Sequence, residues 1–217
     1  MPDWKKDREL RKNAVRFIEA AYEIIDSEGL NSLSVRKVAG LAGFHNSTIY
    51  TYFKDIDELE QLACIRYLAP YAKRVADIGA APSSPRETFY GIWEAFCAEA
   101  LANAQVYRQI FFGKYSNNLS EAIALYYDLF PEEAHDWSGA VEKMYFSHTY
   151  EARCMSILAP LANDASTRVT KDLLDDINRL IVCYTKGILD KKCASPALDG
   201  AELTRECMSM LHFIIDA

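Results

Sequence analysis

The sequence predicts an all-α protein, with a small N-terminal helix-turn-helix domain ahead of a larger helical domain. Three observations lead there. Apolar residues recur at helical i, i+3, i+4 spacing along most of the chain, and no segment alternates as a strand does. Glycines and prolines sit between the periodic runs, at Gly29, Gly43, Pro131, Pro160 and Pro196 and in the stretch GAAPSSP at 79–85. Of the 217 residues, 50% are hydrophobic, enough for a sizeable core and too many for a disordered chain.

The first helix should run from Arg8 to Ser27. Ala14, Phe17, Ile18, Ala21, Tyr22 and Ile25 form its apolar stripe, and Gly29 is a natural stop. Ser34 can cap a short second helix that ends near Leu41, with Gly43 in the turn. A third covers Asn46 to Phe53. A fourth begins at Asp55, where Asp55 and Glu58 have capping-box spacing and acids crowd the first turn, and is expected to continue unbroken to about Asp77. Further helical segments follow at 86–103, 105–114, 118–130, 137–164, 167–191 and 200–216. The expected domains are 1–54 and 55–217, with the helix 55–77 linking them.

Charge and composition narrow the function. The net charge is −7, yet residues 31–54 hold Arg36, Lys37 and Lys54 and no acid. Residues 1–18 hold Lys5, Lys6, Arg8, Arg11, Lys12 and Arg16 against Asp3, Asp7 and Glu9. Local sign decides whether a phosphate backbone is attracted, because salt screens charges beyond ~8–10 Å. No apolar run approaches the ~18 residues of a membrane span, and the charged N-terminus lacks a signal-peptide core, so a cytoplasmic protein without membrane partners is expected. The six cysteines show no C-x-x-C spacing and read as small buried thiols in a reducing compartment. No Ser–His–Asp arrangement, phosphate-cradling glycine loop or metal-ligand spacing stands out, so no catalytic residue, cofactor or metal is expected. Asp175–Asp176 reads as a solvated helix face.

The informative run is VRKVAGLAGFHNSTIYTYFK, residues 35–54. Two short helices that cross closely need a small residue at the contact, a residue tolerant of positive φ in the turn, and apolar inner faces. Ala39, Gly43, and the set Val38, Ala42, Phe44, Ile49 and Phe53 meet those needs. The outer face is then Asn46, Ser47, Thr48, Tyr50 and Thr51, flanked by Arg36 and Lys54. Small hydrogen-bonding side chains on an acid-free helix suit a DNA major groove, touching phosphates and base edges. Tyr52 and Phe53 read as core.

The run SVRKVAGLAGFHNSTIYTYFKDIDEL closely resembles the N-terminal domain of TetR-family transcriptional regulators. Val35, Arg36, Val38, Ala39, Ala42, Gly43, Phe44, Thr48, Ile49, Tyr50, Tyr52, Phe53 and Lys54 carry the resemblance, which spans residues 8 to 63. It implies that Arg36, Asn46, Thr48, Tyr50 and Lys54 contact DNA, with Tyr50 and Lys54 on phosphates and Asn46 and Arg36 on bases. Two positions depart from the family pattern. His45 stands where Ser is common, and Ile56 stands where Lys is common, which removes one possible phosphate contact.

Of the twenty-six aromatic residues, fifteen lie between 85 and 150. They read either as an aromatic core or as a cavity for an apolar or aromatic ligand. The resemblance favours the cavity, since members of the family commonly sense small molecules in this half. Its expected lining is Trp93, Phe96, Phe111, Tyr126, Tyr145 and His148. His148 falls on the stripe Trp137, Val141, Met144/Tyr145, His148, Ala152 and Met155, as a core histidine or a ligand partner.

The last two helices carry apolar stripes, and family precedent makes them a dimeric four-helix bundle. Leu173, Ile177, Ile181, Tyr184, Leu203, Cys207, Met210 and Ile214 are the expected contacts. A homodimer also suits DNA, because two recognition helices ~34–36 Å apart read a palindromic operator. The expected function is a repressor released when a small-molecule effector shifts the helix 55–77. The alternatives are a small-molecule-binding or protein-interaction protein that does not read DNA, and an enzyme built on the same cavity.

Overall fold

The computed structural model describes residues 7–135 and 139–216. Lys5, Lys6 and Trp137 lie outside the described residues. Among the described residues eleven α-helices run in order: α1 (Arg8–Glu28), α2 (Val35–Ala42), α3 (Ile56–Ile65), α4 (Ala69–Ala80), α5 (Pro85–Ala102), α6 (Ala104–Phe112), α7 (Leu119–Leu129), α8 (Gly139–Tyr145), α9 (Tyr150–Leu158), α10 (Leu174–Ala194) and α11 (Gly200–Ile215). Short 3₁₀ turns join several of them. Among the described residues the sole β feature is an isolated antiparallel bridge between Thr167 and Asp216. No described helix is long and apolar enough to cross a membrane. The chain forms two compact units, Met1–Arg66 with Ala122–Glu133, and Tyr67–Glu121 with Ala134–Ala217.

In the first unit α1 packs on α2 and α3. Asp7 starts α1 by accepting from the Glu9 and Leu10 amides at 2.9 and 3.0 Å, and Gly29, at φ 87°, ends it. The predicted stripe is the buried face, with Ala20 and Ile24 added and Tyr22 half-exposed. Phe17 is fully buried at its centre, stacked on Phe44 at 4.9 Å and against Tyr52 and Phe53 at 5.6 and 6.2 Å. Truncating such a phenylalanine to alanine costs about 3–5 kcal/mol. Arg11 binds α7 through Nη1 to Asp128 Oδ2 and Nη2 to the Asp128 carbonyl, both at 2.6 Å.

The single helix expected over 55–77 is two helices. Asp55 accepts from the Glu58 amide at 2.9 Å and starts α3, while the Glu58 carboxylate turns back to accept from the Lys54 amide at 2.6 Å. α3 stops at Ile65, residues Arg66–Leu68 form a 3₁₀ turn, and α4 begins with Pro70 in its first turn. Proline supplies no amide for the carbonyl four residues back and its ring crowds that turn, which favours a break in the helix here.

In the second unit α5 packs against α4 and α11, α10 against α6 and α9, and α8 against α4 and α9. A complete capping box starts α5: the Glu87 amide donates to Ser84 Oγ at 3.2 Å and the Ser84 amide to Glu87 Oε2 at 2.8 Å. Cys97 of α5 and Cys207 of α11 meet with their sulfurs 3.1 Å apart. Four of the six cysteines are buried free thiols as expected, but Cys183 is exposed and Cys193 half-buried.

The helix expected over 137–164 is also interrupted. α8 ends at Tyr145 and α9 starts after Thr149, whose hydroxyl caps the Ala152 amide at 3.2 Å. The break resets the helical phase. Ala152 is therefore exposed and Met155 half-exposed, while Tyr150, Arg153, Cys154, Ile157 and Leu158 form the buried face.

Candidate functional site

Two places in the chain have the chemistry of a binding site, one in each unit. In the first unit α2 is capped by Ser34, whose Oγ accepts from the Lys37 amide at 3.4 Å, and ends at Gly43. Gly43 has φ 76°, the left-handed conformation that turns the chain toward the next segment, and a Cβ there would meet Arg16 Nη2 at 3.0 Å. Residues Asn46–Thr51 then form a 3₁₀ turn rather than the α-helix expected to reach Phe53. Ile49 is fully buried beneath this segment, and Val38, Ala39, Ala42 and Phe53 complete its floor. Tyr52 is buried and its hydroxyl accepts from Asn13 Nδ2 at 3.2 Å, as suits a core residue.

With Ile49 inward, the polar side chains of the segment face solvent. Arg36, Asn46, Ser47, Tyr50, Thr51 and Lys54 are exposed and Thr48 is half-exposed. Tyr50 is 52% exposed, high for an aromatic residue in a folded domain. The positive charges differ in their freedom. Lys37 is paired with Glu28 at 2.5 Å, and Lys54 Nζ lies 3.7 Å from Glu58, an exposed pair worth ~0.2–1 kcal/mol that a phosphate can displace. Arg36 makes no ion pair among the described residues.

His45 takes the cap of the 46–51 segment. Its Nδ1 accepts from the Ser47 amide at 3.3 Å and lies 2.8 Å from Ser47 Oγ. It thus supplies the acceptor that a serine would supply at this position. An accepting Nδ1 places the ring proton on Nε2, so the outer edge of the imidazole is a donor. The Ser47 hydroxyl is engaged by the cap, which separates it from Asn46, Thr48, Tyr50 and Thr51.

The second site is a cavity between α4, α5, α8 and α9, lined by Tyr71, Ile92, Trp93, Phe96, Met144, Tyr150, Arg153, Cys154 and Ile157. Of the six residues expected at a ligand pocket, Trp93 and Phe96 line it. Phe111 and Tyr145 stand one ring behind, 5.4 Å from Phe96 and 6.4 Å from Tyr71. Tyr126 and His148 do not reach it. Tyr126 belongs to the first unit, stacks on Phe130 at 4.7 Å and donates to Glu133 at 2.6 Å. His148 lies in the α8–α9 joint, exposed, with Nδ1 2.7 Å from Ser120 Oγ. The space open to the centre of a water molecule is about 20 Å³, room for roughly one water.

The cavity wall is aromatic but carries one charge. Arg153 is 3% exposed, donates through Nη1 to the Tyr145 carbonyl, and lies over the Phe111 and Tyr145 rings at 5.3 and 5.0 Å. Burial pushes the Tyr71 hydroxyl up to about 12, with the Arg153 charge pulling the other way, and likewise pushes the Cys154 thiol up to about 12. Both are therefore neutral near pH 7. Sequence reasoning missed Arg153. The available signal was its place three residues after Tyr150 and four before Ile157, on the apolar face of α9.

Among the described residues no group of three His, Cys, Asp or Glu side chains gathers to hold a metal ion. The expected dimer contacts divide by burial. Ile177, Ile181, Leu203 and Cys207 face the core of their own protomer, whereas Leu173, Tyr184, Met210 and Ile214 retain exposure. Leu180, 57% exposed, and Phe213, 70% exposed, extend that outer face and were not among the expected contacts.

Residues 17–61 match the model of the bacterial regulatory proteins of the tetR family. No curated protein sequence matches the chain. Among solved structures, the ketosteroid transcriptional regulator KstR2 of Mycobacterium tuberculosis is similar over 94% of this chain and 95% of its own, at 17% identity and a TM-score of 0.55. The Thermus thermophilus FadR repressor, solved with lauroyl-CoA, is similar over 91% and 92%, at 16% identity and 0.59. A transcriptional regulator from Pseudomonas aeruginosa PAO1 is similar over 97% and 93%, at 19% identity and 0.54. These likenesses are of fold. The family match lies within the first unit, over the helix-turn-helix built on Gly43, and the rest of the chain shares with these regulators its all-α fold.

Proposed function

We propose that the chain is a sequence-specific DNA-binding regulator of transcription, working in the cytoplasm as a homodimer and released from its operator by a small apolar or aromatic molecule. The observation that carries the DNA reading is the 46–51 segment. It offers Asn46, Thr48, Tyr50 and Thr51 to solvent over a buried Ile49, with Arg36 and Lys54 at its flanks. Planar Asn46 and Arg36 suit base edges, while Tyr50 and Lys54 suit phosphates. The His45 cap supports the reading, since it orders the segment and leaves a donor at its outer edge.

The cavity supports the effector half of the proposal. The FadR repressor of similar fold was solved with an acyl thioester, so this architecture accommodates ligands with apolar bodies. A cavity that holds about one water must widen to take an effector, and only the widened form binds it. Binding energy is then available to shift the equilibrium between forms, which is the condition for a ligand to act as a switch. Tyr71, in the cavity wall, belongs to α4, and α4 follows α3 in the chain through the 66–68 turn. The role is binding and release, not turnover.

Selection of binding sites from random duplex DNA with the purified protein, at two salt concentrations, tests this proposal. The expected result is one enriched palindrome, bound more weakly as salt rises because phosphate contacts release counterions. No enrichment from the folded protein at low salt would overturn it in favour of a helical ligand-binding or protein-interaction protein.

A further inference from the structure

The cavity of the second unit gathers three buried polar groups that the fold leaves unmet. Arg153 Nη2 and Trp93 Nε1 have no hydrogen-bond partner, the Tyr150 hydroxyl makes none of ordinary geometry although the Thr185 hydroxyl and the Cys154 thiol lie near it, and all three side chains border the same space. They are 3, 2 and 4% exposed. Native folds seldom leave buried polar atoms unpaired, and three around one cavity from two different helices is not an accident of one loop. The guanidinium and the indole N–H are donors only, and a tyrosine hydroxyl can donate. No aspartate or glutamate borders the cavity, and Arg153 pairs with no carboxylate among the described residues. A buried cation held by a carbonyl, two ring faces and the neutral Tyr71 hydroxyl, with no carboxylate, is costly until a counter-charge arrives.

We infer that the effector is a monoanion, most simply a carboxylate on an apolar or aromatic body, with Arg153 as its counter-charge and Trp93 and Tyr150 as further donors. This rests on the proposal that the cavity takes the effector. A carboxylate accepts several hydrogen bonds at once and meets a guanidinium with two oxygens, which a neutral amide or alcohol cannot do with charge. An amine brings a second positive charge and no acceptor. The body packs on Phe96, Ile92 and Ile157. Met144, an unbranched and adaptable side chain at the cavity edge, is the wall best suited to yield as the space widens. The Nη1 bond to the Tyr145 carbonyl fixes the guanidinium from behind, so Nη2 is the group offered to a ligand.

The test is a thermal-shift and calorimetric comparison of the whole protein against a matched panel. Straight-chain C6–C12, phenylalkyl and naphthyl bodies each carry a carboxylate, primary amide, alcohol or amine. The expected result is that stabilising compounds are carboxylates, binding at least tenfold more tightly than their amides, and that Arg153→Lys retains part of this preference while Arg153→Gln removes it. The comparison on the unaltered protein needs no variant, so a variant that fails to fold leaves the test intact. Neutral compounds or amines binding as well as carboxylates would overturn the inference while leaving the effector proposal standing. No binding by any head group on any body would overturn both, and the DNA selection stands apart from either.

Discussion

Glu60 is the carboxyl whose surroundings work most clearly against its charge. Partial burial on α3, and then the negative charge of Asp57, push it up to about 7 from an ordinary 4.5. Its pKa is higher in the folded chain than in the unfolded one, so the folded state holds the extra proton between those values. Stability is therefore expected to fall as pH rises from about 4.5 through 7. Glu60→Gln should raise stability by ~1 kcal/mol at pH 8, a figure reduced for the solvent screening of a half-exposed carboxyl, and by nothing below pH 4.5. Urea unfolding at the two pH values checks this, and equal stability of the two proteins at pH 8 would refute it. Other single residues show what a sequence reveals and hides. His45 reads as a departure from the family pattern, yet its ring nitrogen does a serine's capping work. Arg153 hides because a charge on an apolar stripe looks like an interruption until the fold surrounds it.

At the scale of elements, the short helices of the first unit were legible because their signals are local. Ser34, Gly29, Gly43 and Asp55 each act within a few residues of where they stand. The long helices were less so. Pro70 marks the break between α3 and α4 in plain sight, but the apolar spacing continues across it and masks it. The α8–α9 joint has no proline, and a 3.6-residue periodicity extended through it predicts the wrong face, placing Ala152 inside and Arg153 outside. On α10 and α11 the apolar stripes are wider than one interface. The half that faces the protomer core is Ile177, Ile181, Leu203 and Cys207, and the outer edge adds Leu180 and Phe213. If that edge is the dimer face, Leu180→Asp with Phe213→Asp should give the mass of one chain by light scattering where the unaltered protein gives two. Helicity should be unchanged, because neither side chain is buried. A variant that remains dimeric would move the interface elsewhere.

For the whole molecule, the all-α class followed from helical periodicity along most of the chain, and the resemblance to TetR-family regulators rested on the 35–54 run, which combines a positive-φ glycine, a small contact residue and a polar outer face. The aromatic half was legible only as aromatic. Spacing cannot separate a ring that lines a cavity, such as Phe96, from one that supports the lining, such as Phe111, or from one in the other unit, such as Tyr126. That distinction depends on tertiary placement. The claim that joins the two units into one function is that residues 46–51 read DNA. The most direct measurement is the affinity of the Tyr50→Phe, Thr48→Ala double variant for the duplex enriched by selection, by fluorescence anisotropy beside the unaltered protein. Both side chains are at least half-exposed or make no buried contact through their hydroxyls, so folding and dimer mass should be preserved. The prediction is at least a tenfold loss of affinity, ~1.4 kcal/mol or more, with a shallower dependence on salt from the lost phosphate contact. Unchanged affinity in a folded variant would contradict it.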